Sequence, residues 1–260
     1  LVVVFGCIIG ARSTEIKVEA AERTVRFWDN SGNYLQKSGG NWYLKDSKKR
    51  KLTGLRYLSI PKTEFLKTGF YMFDKNGKLL RKQSVYYFDK KTVSGVRFDK
   101  YHITDSNGRI SKGERGFVNV AEQKVRGKKI IAGIYYVEAY GKLADRGTVR
   151  YIRQRRFGGR NFKGGYYYFY GTGRICMRPS FHKVNKTVQG KKFNGIYYFG
   201  NDNGRMVQKA GWVTCEGQQY YVDQNGKMLV NRWKDGYYLK SNGTIAKNMK
   251  TPDGQYVDWQ

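Results

Sequence analysis

One short unit recurs along this chain, and it constrains the fold more than any other feature. Its clearest copies read Tyr220-Tyr221-Val222-Asp223-Gln224-Asn225-Gly226-Lys227-Met228 and Tyr237-Tyr238-Leu239-Lys240-Ser241-Asn242-Gly243-Thr244-Ile245. Upstream stand Tyr197-Tyr198-Phe199, which leads to Asn203-Gly204-Arg205-Met206, and Tyr71-Met72-Phe73-Asp74-Lys75-Asn76-Gly77-Lys78-Leu79. Looser copies begin at Trp42-Tyr43, Tyr86-Tyr87, Tyr135-Tyr136 and Tyr167-Tyr168. The template is two aromatics, an apolar residue, a polar turn, Gly, a basic or polar residue, and another apolar residue. On a strand, adjacent aromatics point to opposite faces, so one packs inward while the other meets a neighbour or a ligand. Asn and Gly both tolerate the positive φ of tight hairpin turns. Asn-Gly follows this pattern at Asn76, Asn107, Asn203, Asn225 and Asn242. A lone hairpin is marginal in water, whereas stacked hairpins bury each other's aromatic faces. The expectation is an all-β fold of tandem β-hairpin repeats stacked as a β-solenoid. It is most regular over residues 195–260 and least so over 108–165. The best helical candidate, residues 13–26, is short and poorly patterned.

Charge is the second constraint. Lys and Arg number 50 against 20 Asp and Glu, a net charge of +30 over 260 residues. Aromatic residues at 16% argue against a disordered basic tail, which would be poor in them. Only 32 glycines exclude a collagen. The one long apolar run, residues 1–10, is too short to span a bilayer. Basic residues cluster at Lys48-Lys49-Arg50-Lys51, at Lys128-Lys129, and at Arg150, Arg153, Arg155, Arg156 and Arg160. A solvated face explains isolated lysines between hairpins. Self-repulsion at +30 disfavours compaction unless counter-charge is bound, so an anionic partner is expected. Guanidinium forks grip phosphate or carboxylate in pairs, and Arg153, Arg155 and Arg156 are the candidate anion-binding residues. Two further readings of the charge stand open. One is a basic single-stranded nucleic-acid-binding protein, since basic stripes with interleaved aromatics describe those too. The other is an adhesin-like module binding host glycan or protein. No helix-turn-helix, zinc-finger spacing or RNP-type motif supports the nucleic-acid reading.

Little in the sequence speaks for catalysis. Asp46, Asp74, Asp89 and Asp223 fall in turn slots, where a carboxylate caps the turn. No pair of opposed carboxylates stands out for glycoside hydrolysis. No Gly-x-Ser-x-Gly, P-loop or dinucleotide fingerprint occurs. Three cysteines (Cys7, Cys176, Cys215) and two histidines (His102, His182) match neither a disulfide framework nor a metal site. The expectation is no catalytic residue, no metal and no cofactor, with any catalytic domain of the protein lying outside these residues.

The N-terminal run LVVVFGCIIG fits the apolar part of a secretory signal. Ala11 or Ala20 would mark cleavage, and Cys7 after Gly6 weakly matches a lipoprotein attachment site. Residues 1–25 are therefore expected to be a partial signal peptide or N-terminal anchor, and residues 26–260 the repeat array. The alternative is a buried strand.

From Gly211-Trp212 through Tyr220-Tyr221-Val222-Asp223, Asn225-Gly226-Lys227-Met228, Trp233 and Tyr237-Tyr238-Leu239, the sequence resembles the cell-wall-binding repeats of Gram-positive bacteria. That group contains choline-binding and glucan-binding modules. Degenerate copies extend the resemblance over residues 27–260. The resemblance implies hairpins stacked into a solenoid, extracellular and attached to the cell wall. It implies a non-catalytic tether to teichoic acid or cell-wall polysaccharide, with choline or glucan as further candidate ligands. An aromatic site would then involve Trp212, Tyr221, Trp233 and Tyr238. Gln219 and Gly236 stand where the choline-binding pattern places another Trp, which leaves a partial ring of π faces around any cation.

Overall fold

A computed structural model describes residues 17–19, 24–28, 32–59, 66–110, 115–144 and 147–258. The apolar run 1–10 with Cys7, and the two expected cleavage positions Ala11 and Ala20, lie outside the described residues, and so does most of the helical candidate. Its described parts, Lys17–Glu19 and Thr24–Trp28, form an antiparallel strand pair rather than a helix. Among the described residues the only helical element is a 3-10 turn, Ala139–Gly141. Everything else regular is antiparallel strand, as the aromatic doublets require. No helix among them is long and apolar enough to cross a membrane.

The chain divides into two compact units. One holds Leu1–Gly116, Val120–Ile131 and Val137–Leu143, and the other Phe117–Asn119, Ala132–Tyr136 and Ala144–Gln260. In the first, Lys17–Glu19, Thr24–Trp28, Tyr34–Ser38 and Asn41–Lys45 follow each other as a four-stranded meander. The hairpin Gly54–Leu58/Gly69–Phe73 comes next, then a long one, Val85–Val93/Val96–Ile103. Leu35, Trp42, Leu44, Leu58, Leu66, Tyr71, Phe73 and Leu79 make one core cluster. Leu55, Phe70, Phe88, Phe98 and Ile110 make a second. In the second unit, Thr148–Ile152, Gly165–Phe169, Arg205–Met206, Lys191–Asn201 and Ser180–Val188 lie side by side in that order. Three hairpins follow in chain order: Gly211–Cys215/Gln218–Val222, Arg232–Lys234/Tyr237–Leu239 and Met249–Lys250/Tyr256–Val257. The irregular stretch 108–165 resolves into small hairpins, Gln123–Val125/Lys128–Ile130 and Arg155–Phe157/Arg160–Phe162.

The repeat unit is built by two linked contacts. Within a unit, the apolar residue after the doublet pairs with the apolar residue beyond the glycine: Phe73 with Leu79, Phe169 with Ile175, Val222 with Met228, Leu239 with Ile245. Where the turn carries an aspartate, as after Phe73 and Val222, its carboxylate holds the turn. Asp74 Oδ1 accepts the Asn76 and Lys78 N–H groups at 2.8 and 2.9 Å, and Asp223 Oδ1 does the same for Asn225 and Lys227 at 2.7 and 2.9 Å. Between units, the basic residue after the glycine pairs with a strand residue of the preceding copy, in every case but His102 one of its doublet. Tyr43 meets Lys78 and His102 meets Lys142, while Tyr135 meets Arg174 and Tyr197 meets Lys227. Tyr71 likewise pairs with Arg109, and Tyr167 with Arg205.

The turn glycine is required by both contacts. Gly108, Gly204 and Gly226 have φ of 78°, 88° and 77°. A Cβ on them would overlap the carbonyl oxygens of Leu80, Cys176 and Val207 respectively, in the preceding copy. The Asn-Gly pairs therefore do not form the two-residue hairpin loops expected from the sequence. Those at Asn76, Asn107 and Asn225 form longer carboxylate-capped turns pressed against the neighbouring copy. The tight loops are elsewhere, at Ser94-Gly95, Arg126-Gly127, Gln189-Gly190, Glu216-Gly217 and Asp235-Gly236, where both residues have positive φ. That is the geometry matching the twist of paired strands.

Candidate aromatic binding site

In four copies upstream of the terminal hairpins the first ring of the doublet goes to the core. Tyr71, Tyr135, Tyr167 and Tyr197 are all buried. Tyr71 donates its hydroxyl to the Lys67 carbonyl at 2.6 Å, and Tyr167 donates to that of Lys163 at 2.8 Å. Burial pushes the Tyr167 phenol up to about 12, against the opposing pull of Arg205. These rings are pillars, whereas half-buried aromatic faces open to solvent stand on the terminal hairpins.

There the four residues proposed from sequence separate into two corners. Trp212 and Tyr221 are direct cross-strand partners, their ring centroids 5.3 Å apart at 87°. Trp233 and Tyr238 are partners on the next hairpin, 5.4 Å apart at 68°. Trp212, Tyr221 and Trp233 are half-buried, whereas Tyr238 is only 7% exposed and offers little face to a ligand. The ring that closes the first corner is Tyr237, 5.5 Å from Trp212 at 83°.

Each indole is tied to an acidic residue of the following hairpin. Trp212 Nε1 donates to Asp235 Oδ2 at 3.2 Å, and Trp233 Nε1 donates to Asp253 Oδ2 at 2.7 Å. The hydrogen bond from Lys234 holds Asp235 below the usual carboxylate range, with the Trp212 indole helping. Hydrogen bonds from Thr251 and Trp233 do the same for Asp253. Lys234 completes the first corner, its Nζ 2.9 Å from Asp235 Oδ1 and 4.9 Å from the Tyr221 ring centroid. Sequence reasoning missed Lys234, Asp235, Tyr237 and Asp253. An available signal was the Asp-Gly pair that follows each Trp one hairpin later, at Asp235-Gly236 and Asp253-Gly254.

The candidate anion-binding arginines are exposed but are not gathered on one face. Arg153 lies between two strands. Arg155 and Arg156 are adjacent on Arg155–Phe157, so their side chains leave opposite faces of that ribbon. Arg155 sits over the Phe117 ring at 5.5 Å. Arg160 donates to Asn203 Oδ1 at 3.3 Å. Other basic side chains are structural. A Cβ on Gly69 would come within 2.9 Å of the Arg109 stem, and one on Gly165 within 2.7 Å of the Arg205 stem. These stems thus roof the preceding strand, and part of the positive charge serves packing.

Cys176 and Cys215 are free and buried. The Cys176 thiol lies 3.1 Å from Ser180 Oγ, which lies 3.0 Å from His182 Nε2. His182 stacks on Tyr168 at 3.6 Å and 4°, and burial holds its imidazole below the ordinary histidine value. Among the described residues no three His, Cys, Asp or Glu side chains converge as metal ligands.

Two family models match the chain, a cell wall binding repeat over residues 210–228 and a choline-binding repeat over residues 227–258. Among curated proteins, glucosyltransferase-S of Streptococcus mutans serotype c is 24% identical over 90% of this chain, which spans 21% of that protein's length. Among solved structures, the modular autolysin LytC from Streptococcus pneumoniae is 16% identical, with a TM-score of 0.46, over 85% of this chain and 41% of that one. Choline binding protein F from Streptococcus pneumoniae is 20% identical, with a TM-score of 0.24, over 95% of this chain and 98% of that one. The two matched segments span both aromatic corners, and the unit they cover is the one written in looser form upstream. Residues 210–258 therefore match cell-wall-binding repeats of the choline-binding kind.

Proposed function

We propose that the chain is a non-catalytic module that holds an exported protein to a polysaccharide or teichoic acid of the cell wall. The observation that carries this reading is the corner of Trp212, Tyr221 and Tyr237. It stands inside the segment matched as cell-wall-binding repeat, and its rings are partly open to solvent. Flat aromatic faces suit sugar rings, and Arg153, Arg155 and Arg156 supply charge for an anionic polymer. The relative named as a glucosyltransferase favours glucan as a second ligand class, with any transferase activity belonging to other parts of such a protein.

The test is sedimentation of the purified chain with isolated cell walls, before and after chemical removal of teichoic acid. Retention that drops on removal supports an anionic polymer, and retention unchanged by removal but competed by dextran supports glucan. Absence of retention on both kinds of wall, or release of sugar or peptide from them, refutes the reading.

A further inference from the structure

The Trp212 corner already contains a cation. Lys234 Nζ lies over the Tyr221 ring and is paired with Asp235, whose second oxygen accepts the Trp212 indole N–H. One carboxylate thus fixes both the lysine and the indole. Lys234 issues from a strand, in register with Tyr237 across the tight Asp235-Gly236 loop, so its stem starts from a fixed place. An aromatic face attracts a cation through its quadrupole, and a second cation in the same seat would be repelled by the first. The scheme recurs in the other unit. There Tyr87 and Tyr101 are cross-strand partners 5.1 Å apart. Arg126 stands 4.9 Å over the first ring and Lys128 stands 5.8 Å over the second. Both come from the next hairpin.

We propose that Lys234 is a built-in occupant of the Trp212 corner. It acts as a specificity-determining residue that keeps free quaternary ammonium groups out and leaves the corner to uncharged or anionic sugar polymers. The chemistry of exchange favours the lysine. A primary ammonium satisfies the Tyr221 face and also donates N–H to Asp235. A quaternary ammonium has no N–H, so displacing the lysine leaves that carboxylate with a weaker partner. This inference rests on the reading of the corner as a binding surface.

The experiment titrates the full chain with choline chloride at constant ionic strength, following the Trp212 indole N–H resonance. Wild type, Lys234→Gln and Lys234→Arg are compared. Removing the resident cation should tighten choline about fivefold, the worth of one exposed cation–π contact. Lys234→Arg should behave as wild type. In the unmutated protein the Lys234 Hε protons should be shifted upfield by the Tyr221 ring, a readout needing no variant. Equal or weaker choline binding in Lys234→Gln, or Lys234 Hε signals at unstructured values, overturns the proposal. Wall sedimentation run alongside separates the two readings. Wild type retained on walls with no tightening in Lys234→Gln sinks the occupant alone, whereas tightening without wall retention sinks the wall-binding function alone.

Discussion

At the scale of single residues, the glycines after the polar turns and the first tyrosines of the doublets carry the architecture. Gly226 and Gly217 have nearly equal φ, 77° and 75°, but only Gly226 faces a neighbouring carbonyl, while Gly217 looks onto open space. Gly217→Ala should therefore cost only the left-handed backbone penalty, about 1–2 kcal/mol. Gly226→Ala should cost clearly more, since the Val207 carbonyl must also shift. Urea unfolding of both variants decides it, and equal losses would mean that the inter-copy contact contributes nothing. Tyr167 gives a second expectation. Its neutral form is favoured by folding, so its stabilisation is complete below pH 10, the ordinary phenol value. It is then lost as pH rises towards about 12. Wild type should lose on the order of 2 kcal/mol over that interval that Tyr167→Phe does not lose. Parallel alkaline profiles of the two would contradict the assignment. The importance of these glycines and tyrosines was legible in the sequence because both recur in step. The partner of each glycine was not, since the carbonyls it meets belong to Leu80, Cys176 or Val207, residues with no distinguishing side chain.

At the scale of elements, the strands were readable from doublets and the turns less so. Asn-Gly at Asn225 signals positive φ, yet the preceding Asp223 converts it from a two-residue loop into a capped turn. The true tight loops, such as Gln189-Gly190 and Glu216-Gly217, place residues at positive φ that propensity alone would not put there. Pairing in the sheet overrides that preference. The aromatic site was legible to the same degree. Trp212 with Tyr221 and Trp233 with Tyr238 follow from hairpin register, but Tyr237 joins Trp212 only through the stacking of successive hairpins. The expected consequence is that Trp212→Ala lowers wall retention roughly tenfold, the loss of one well-placed aromatic contact. Tyr238→Ala should instead lower thermal stability first, because that ring is buried. Sedimentation and melting of the two variants check the distinction. The arginine ribbon gives a complementary expectation. Arg155 and Arg156 leave opposite faces, so a polymer lying on one face feels one of them. Single alanine variants should differ in wall affinity by several-fold rather than weaken it equally.

At the scale of the whole molecule, a net charge of +30 predicts binding to an anionic wall polymer that falls steeply with salt, as exposed charges are screened within about 8 Å at physiological ionic strength. Retention on walls should drop several-fold between 50 and 500 mM sodium chloride if charge dominates, and stay nearly flat if ring stacking on neutral sugar does. The cross-copy pairing has another outcome. Lys142 finds His102 and Lys227 finds Tyr197 although the intervening stretches differ in length. The join is read locally, by one strand residue and the basic residue that closes the next turn. Whatever is strung between those two points can grow, shrink or be exchanged without disturbing the splice. Such a chain can vary what lies between its joints while each joint keeps the same pairing, much as a hinge outlasts a change of door.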